Sequence, residues 1–153
     1  LGNFVTAHDF LAMFGGEVTR MMLLSAHYRS IVDFGEEALE TALSGLQRLY
    51  EAKLKAEKLM KLKAASPHPR AESLWGEFMM DCQKTRSEIT EQMANDFNSP
   101  GALASIFSLI RIFNRVTSEQ GAEATPSAVL GAQELIRIIE DEIGGFLGLG
   151  RKS

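Results

Sequence analysis

The residues that form disulfides, coordinate metals or carry common catalytic motifs are scarce in this chain. It has one cysteine among 153 residues, which excludes an internal disulfide and a cysteine-rich zinc site. Its three histidines, His8, His27 and His68, lie far apart and lack the spacing of metal ligands. The GxGxxG, P-loop, HExxH and GxSxG patterns are all missing from the sequence. The sequence alone therefore predicts neither a catalytic nor a metal site.

Long apolar runs and alternating strand patterns are missing as well. No apolar run approaches the roughly 18 residues that a membrane-spanning helix needs, so we expect no membrane partner. With 45% hydrophobic and 24% charged residues the chain has the composition of a soluble globular domain, and the single cysteine favours a reducing, cytoplasmic compartment. The net charge of −4 means that nucleic-acid binding would require a locally basic surface.

Apolar residues recur at three- and four-residue steps along most of the chain, which predicts helices. We expect two short helices first, over Thr6–Phe14 with Thr6 as N-cap and over Glu17–His27. Four longer helices follow, over about Glu36–Leu62, over about Glu72–Ala94, from an Asn98 or Ser99 cap onward, and from Thr125-Pro126 onward. The predicted fold class is all-α, a helical bundle with a short helical lead-in.

Three features have a structural and a functional interpretation. Cys82 lies on the apolar stripe of its helix, so we predict a buried, inert thiol. Trp75 is a candidate for stacking on a nucleobase, but packing beneath the neighbouring loop is the favoured interpretation. The carboxylates at Glu36–Glu37 and Glu140–Glu142 are interpreted as solvated charges that complement helix dipoles.

A basic stretch lies in the second half of the first long helix. It holds six cations, against only Glu51 and Glu57. The six are Arg48, Lys53, Lys55, Lys58, Lys61 and Lys63. Lysine and arginine suit phosphate contacts. The cations are spread around the helix, however, so a solvated helix end stays an open alternative.

Two blocks of sequence resemble a known family. The stretches LGNF, EVTRMMLLSAHYRS and DFGEEAL are similar to the segment that follows the KMSKS loop in cysteinyl-tRNA synthetases, and NDFNSPGALASIFSLIRIFNR resembles a second stretch of that family. The resemblance runs from Leu1 to about Leu149. It implies a stem-contact segment over 1–34, a DALR-type anticodon-binding bundle over 35–149 and a tail over 150–153. It also implies a class I catalytic domain ahead of Leu1, which would hold the ATP and zinc sites.

Three positions depart from the family pattern. Only Arg20 of Glu17-Val18-Thr19-Arg20 matches the tetrapeptide that gives the DALR domain its name. Ile31 stands where the family usually has proline, and Gly35 replaces a serine that would cap the long helix, at a cost of a few tenths of a kcal/mol.

The function that the resemblance implies is docking of cysteine-accepting tRNA, with no catalysis by this chain. The parent enzyme would activate cysteine with ATP and charge the tRNA. The candidate tRNA-binding residues are Arg20, Arg29, Arg48, Lys53, Lys55, Lys58 and Lys61. Two alternatives stay open: part of a ligase that couples cysteine to an amino sugar, and a helical interaction module without an RNA role.

Overall fold

Helices form wherever the apolar spacing predicts them within the described residues, and the all-α prediction is confirmed. The computed structural model describes residues 12, 15–26, 35–63, 66–95, 97–119, 122 and 125–144. Its α-helices are α1 (Gly16–Ser25), α2 (Glu36–Lys61), α3 (Pro69–Ala94), α4 (Ser99–Ser118) and α5 (Pro126–Ile138), and a π-helical turn (Ile139–Gly144) extends α5. The predicted helix over Thr6–Phe14 lies outside the described residues except for Ala12, which is helical, and Arg29, Ile31 and the tail lie outside them entirely.

The helix starts follow the predicted capping chemistry. The Asn98 side chain accepts a hydrogen bond from the Gly101 amide at 3.1 Å, and Thr125 does the same for the Ala128 amide at 3.2 Å. Both side chains satisfy amides that have no partner within the helix. At α2, Gly35 stands in the cap position without a side chain, while Glu36 and Glu37 complement the positive end of the helix dipole.

Two boundaries differ from the sequence prediction. Helix α3 begins three residues earlier, at Pro69, because a proline at the first helical position sacrifices no hydrogen bond. Helix α1 begins at Gly16 and ends at Ser25, two residues before the predicted His27.

The four long helices form a bundle in which neighbours along the chain are not always neighbours in space. Helices α3 and α4 pack most extensively, and α5 packs against both α2 and α3. Helices α2 and α4 meet along a thinner seam, and α1 packs over α2 and α4 beside it. This arrangement leaves a groove between α2 and α4 that α5 does not cover.

The core is aromatic at its centre. The rings of Trp75, Phe78 and Phe113 are fully buried, with centroid separations of 5.4 to 5.9 Å. The indole N–H of Trp75 donates to the backbone carbonyl of Ala122 at 2.7 Å. Packing beneath the loop before α5 is therefore confirmed as the role of Trp75, which takes no part in a surface site.

Candidate nucleic-acid interface

Most of the predicted cations of α2 lie at the surface, but Lys53 does not. Its side chain is only 5% exposed, and its Nζ lies 2.9 Å from Oε1 of Glu140 on the π-helical turn. Lys53 follows Leu49 by four residues and precedes Ala56 by three, so it falls on the inward stripe of α2. The structure therefore argues against the predicted phosphate contact at Lys53, because its ammonium faces the bundle interior and a carboxylate.

The acidic cluster of the π-helical turn is also more than a solvated helix end. Glu140 pairs with Lys53, whereas Glu142 reaches Nη1 of Arg86 on α3 at 3.0 Å. Arg86 Nε also pairs with Glu134 of α5 at 2.9 Å. Burial alone would lower the pKa of Arg86, but these two carboxylates raise it above its usual value. The interpretation of Glu140 and Glu142 as purely solvated charges was wrong: they tie α5 and its extension to α2 and α3.

The groove between α2 and α4 holds the exposed basic groups. Arg48 and Lys55 of α2 face Arg111 and Asn114 of α4 across an open groove of about 250 Å³. Lys55 Nζ lies 3.5 Å from Asn114 Oδ1, and Arg111 Nη2 donates to Ser108 Oγ at 2.8 Å. The groove is therefore lined by three cations from both helices, not from α2 alone, and by one carboxylate, that of Glu51.

Aromatic rings on α4 support two of these cations. The guanidinium carbon of Arg48 lies 4.3 Å from the centroid of the Phe107 ring, and Lys55 Nζ lies 5.9 Å from that of Phe113. A cation over an aromatic face gains about 0.5–1 kcal/mol at an exposed site. Both side chains are thus held at the groove by contacts that leave their positive charge unneutralised.

Acidic partners are distributed unevenly over the bundle. The cations of α3 and α5 pair with carboxylates, as in Arg70–Glu119, Lys84–Glu88 and Arg137–Glu134. In contrast, seven cations of α1, α2 and α4, the helices around the groove, form no ion pair with any carboxylate that the structure describes. These seven are Arg20, Arg48, Lys55, Lys58, Lys61, Arg111 and Arg115. We call them the groove cations, and three of them, Arg48, Lys55 and Arg111, line the groove itself.

Arg20 is the groove cation on α1, and several contacts fix that helix in place. Tyr50 of α2 donates its hydroxyl to the Glu17 carboxylate at 2.6 Å. Ser99 at the start of α4 donates to the Leu24 carbonyl at 2.9 Å. Partial burial and the hydrogen bond to Glu17 raise the pKa of Tyr50 to about 12.

Sequence reasoning missed Arg111 and Arg115. They lie four residues apart on α4, on the side away from its apolar face, so they share one face of the helix. That spacing was a usable signal, but only the packing of α4 against α2 shows that Arg111 lines one groove with Arg48 and Lys55.

Other candidate chemistry is absent from the described residues. No group of three His, Cys, Asp or Glu side chains there could hold a metal ion, and no described helix is long and apolar enough to cross a membrane. Cys82 is fully buried, and burial, with the charges of Glu134 and Asp81, raises the pKa of its thiol to about 12. The prediction of a buried thiol is confirmed, and its inertness stays a prediction.

Comparison with known proteins matches both ends of the chain. Residues 88–149 match the DALR domain family, and residues 1–44 match the catalytic domain family of class I (C) tRNA synthetases. The cysteine–tRNA ligase of Bdellovibrio bacteriovorus is 38% identical over 127 residues, which cover 83% of this chain and 25% of that protein. The cysteine–tRNA ligase of Trichlorobacter lovleyi is 36% identical over 151 residues, which cover 99% of this chain and 30% of that protein. The chain thus spans between a quarter and a third of the length of these relatives.

Proposed function

We propose, from the premise that this chain belongs to the cysteinyl-tRNA synthetase family, that it is the tRNA-binding helical part of a cysteine–tRNA ligase. The observation that carries the proposal is the set of groove cations, which form no ion pair with a carboxylate that the structure describes, on a bundle that matches the DALR domain along α4 and α5. The full-length enzyme would activate cysteine with ATP and transfer it to tRNA, in the cytoplasm. The proposed domain boundary between residues 34 and 35 stays a prediction.

The groove cations suit positioning of RNA. Lysine and arginine contacts to phosphates fix the register of a nucleic acid without reading its sequence. Each phosphate that they neutralise releases counterions, so the affinity falls as salt rises. Under this proposal the bundle holds the tRNA while reaction chemistry takes place elsewhere in the enzyme. The ATP and zinc implied by the family belong to that catalytic part, and no step proposed for this chain depends on them.

The experiment is a titration of the 153-residue chain with cysteine-accepting tRNA at several salt concentrations. The test variant replaces Lys55, Lys58 and Lys61 with Gln together. The slope of log K against log salt should become shallower by up to about 2.7, since each lost phosphate contact removes roughly 0.9 on double-stranded nucleic acid.

The matched control removes three cations from elsewhere on the bundle. Replacing Arg70, Lys84 and Arg137 with Gln changes the net charge by the same amount, but these side chains already face carboxylates. The control should keep most of the wild-type slope. Equal slopes for wild type and the lysine variant would refute groove binding, and absence of binding even at low salt would favour the interaction module.

The amino-sugar ligase alternative is not favoured. The two relatives described above are named as cysteine–tRNA ligases and match 83% and 99% of this chain. A comparison of tRNA with an amino-sugar substrate in the same titration would separate the two functions.

A further inference from the structure

Arg48 lies where two grooves meet. On one side is the cationic groove with Lys55 and Arg111. On the other side is a second, more open groove of about 480 Å³ that Arg48 shares with Phe107. Pockets of roughly 300–1,000 Å³ accommodate small ligands, so the second groove has room for a group the size of a nucleobase.

The lining of the second groove is polar at its rim. Helix α2 contributes Glu40, Thr41 and Ser44, and α1 contributes Ser25. Positions 40, 44 and 48 are four residues apart, so these side chains lie along one face of α2 over about 12 Å. The Glu40 carboxylate is exposed and forms no ion pair with a cation that the structure describes. It is therefore available to accept hydrogen bonds from a ligand.

The position of Arg48 over Phe107 suits stacking. The guanidinium lies 4.3 Å from the ring centroid, which restrains it at the boundary of the two grooves. Unstacked RNA bases pack on aromatic rings or on arginine guanidinium planes, and proteins that bind single strands combine such platforms with a cationic track for the backbone. Lys55 lies two helical turns, about 10 Å, beyond Arg48 and would serve as that track together with Arg111.

We propose that this junction binds one unstacked nucleotide of single-stranded RNA. The base packs on Arg48, its amino edge donates to Glu40, and the adjoining phosphate lies between Lys55 and Arg111. Adenine, cytosine and guanine carry an exocyclic amino group and uracil does not, so amino-bearing bases should be preferred. This inference rests on the proposed function, because it names the form of RNA that the same surface accepts.

The test uses three labelled hexanucleotides at low salt, namely oligoadenylate, oligouridylate and an abasic hexamer with the same phosphates. The variant Arg48→Lys keeps the charge but loses the planar guanidinium. It should bind oligoadenylate about fivefold to thirtyfold more weakly than wild type, within the range that loss of one base stack produces. Arg137→Lys on α5 makes the same exchange at an exposed site outside the grooves and should leave the affinity unchanged.

The abasic probe tests the base contact without any substitution. Wild type should bind it several times more weakly than oligoadenylate, and Arg48→Lys should affect its binding little. Glu40→Gln should reduce the preference for oligoadenylate over oligouridylate. Equal binding of the abasic and adenine hexamers, or an unchanged affinity of Arg48→Lys for oligoadenylate, would overturn the proposal.

Failure of this inference can be told apart from failure of the proposed function. If tRNA binding depends on Lys55, Lys58 and Lys61 while Arg48→Lys and the abasic probe show no effect, the bundle docks tRNA but has no nucleotide site. If the hexamers show the stacking effects while tRNA binds no better than they do, the nucleotide site stands and the tRNA function fails.

Discussion

Gly131 is the position where adding one methyl group should disturb the core most. It lies in α5 directly against the indole of Trp75. A Cβ built there would lie 2.4 and 2.7 Å from two ring carbons of Trp75 and 3.3 Å from Phe78. The indole has little room to move, because its N–H donates to Ala122 and its ring packs edge-on against Phe78 and Phe113. The close approach of α5 to α3 therefore requires glycine.

The change in the free energy of unfolding is the balance of two destabilising contributions and one stabilising contribution. Overpacking a core costs about 1–3 kcal/mol, and weakening the indole hydrogen bond adds about 0.5–1.5 kcal/mol. Alanine regains about 1 kcal/mol of helix propensity over glycine. We expect Gly131→Ala to lower the free energy of unfolding by about 1–3 kcal/mol. Gly76→Ala in α3 is the matched control, since Gly76 is exposed and nothing lies within 4 Å of its added Cβ. It should raise the free energy of unfolding by up to about 1 kcal/mol.

Urea unfolding followed by circular dichroism gives both free energies. Fluorescence provides a second signal from the centre of the clash, because Trp75 is the only tryptophan. Each kcal/mol should shift Tm by about 2–4 °C for a chain of this size. A Gly131→Ala variant as stable as wild type, with unchanged indole emission, would refute the argument that Trp75 fixes this contact.

Three further predictions concern a cap, an ion pair and the thiol. Thr125→Ala should cost about 1 kcal/mol in urea unfolding and Thr125→Ser much less, because serine retains the oxygen that caps α5. Glu140→Gln should lower the free energy of unfolding by about 1–3 kcal/mol, because it removes a carboxylate that faces the buried ammonium of Lys53. Lys53→Met should be close to neutral, because it removes the buried charge itself. The reverse order of the two variants would contradict this explanation. Cys82 should not react with a thiol reagent at pH 8 until urea unfolds the chain, and rapid reaction of the native chain would contradict its burial. Because folding raises the pKa of Cys82 from 9.0 to about 12, stability should fall as pH rises across that window, and Cys82→Ala should lessen the fall.

The helices could be predicted from the sequence because their signals are local. Three- and four-residue apolar spacing located α2 to α5, and the Asn98 and Thr125 caps followed from side-chain chemistry next to proline. The apolar spacing was a less reliable guide to how many residues of a helix are buried. Leu43 and Tyr50 fit the three- and four-residue apolar spacing of α2, yet they are 46% and 42% exposed, since the partners of α2 cover a narrower face than its sequence suggests.

The residues that line the candidate site could not be predicted from their spacing along the sequence alone. Lys53 and Lys55 are two residues apart and equally basic in sequence, but one faces Glu140 in the interior and the other faces Asn114 across the groove. The two lysines differ in their position around the helix axis. The inward positions of Leu49 and Ala56 could have predicted that Lys53 points inward as well. The contribution of Arg111 requires knowing that α4 lies beside α2, which depends on the packing of the whole bundle.

The pairing of charges also explains how a chain of net charge −4 presents a basic surface. Carboxylates on α3, α5 and the π-helical turn neutralise cations such as Arg86 and Arg137, so those acids and bases largely cancel within their own region. Screening at physiological salt limits exposed charges to a range of about 8 Å. A phosphate in the groove therefore responds to Arg48, Lys55 and the cations beside them far more than to the net charge. Groove affinity should accordingly depend strongly on these residues, and changes of equal charge on the far side of the bundle should alter it little.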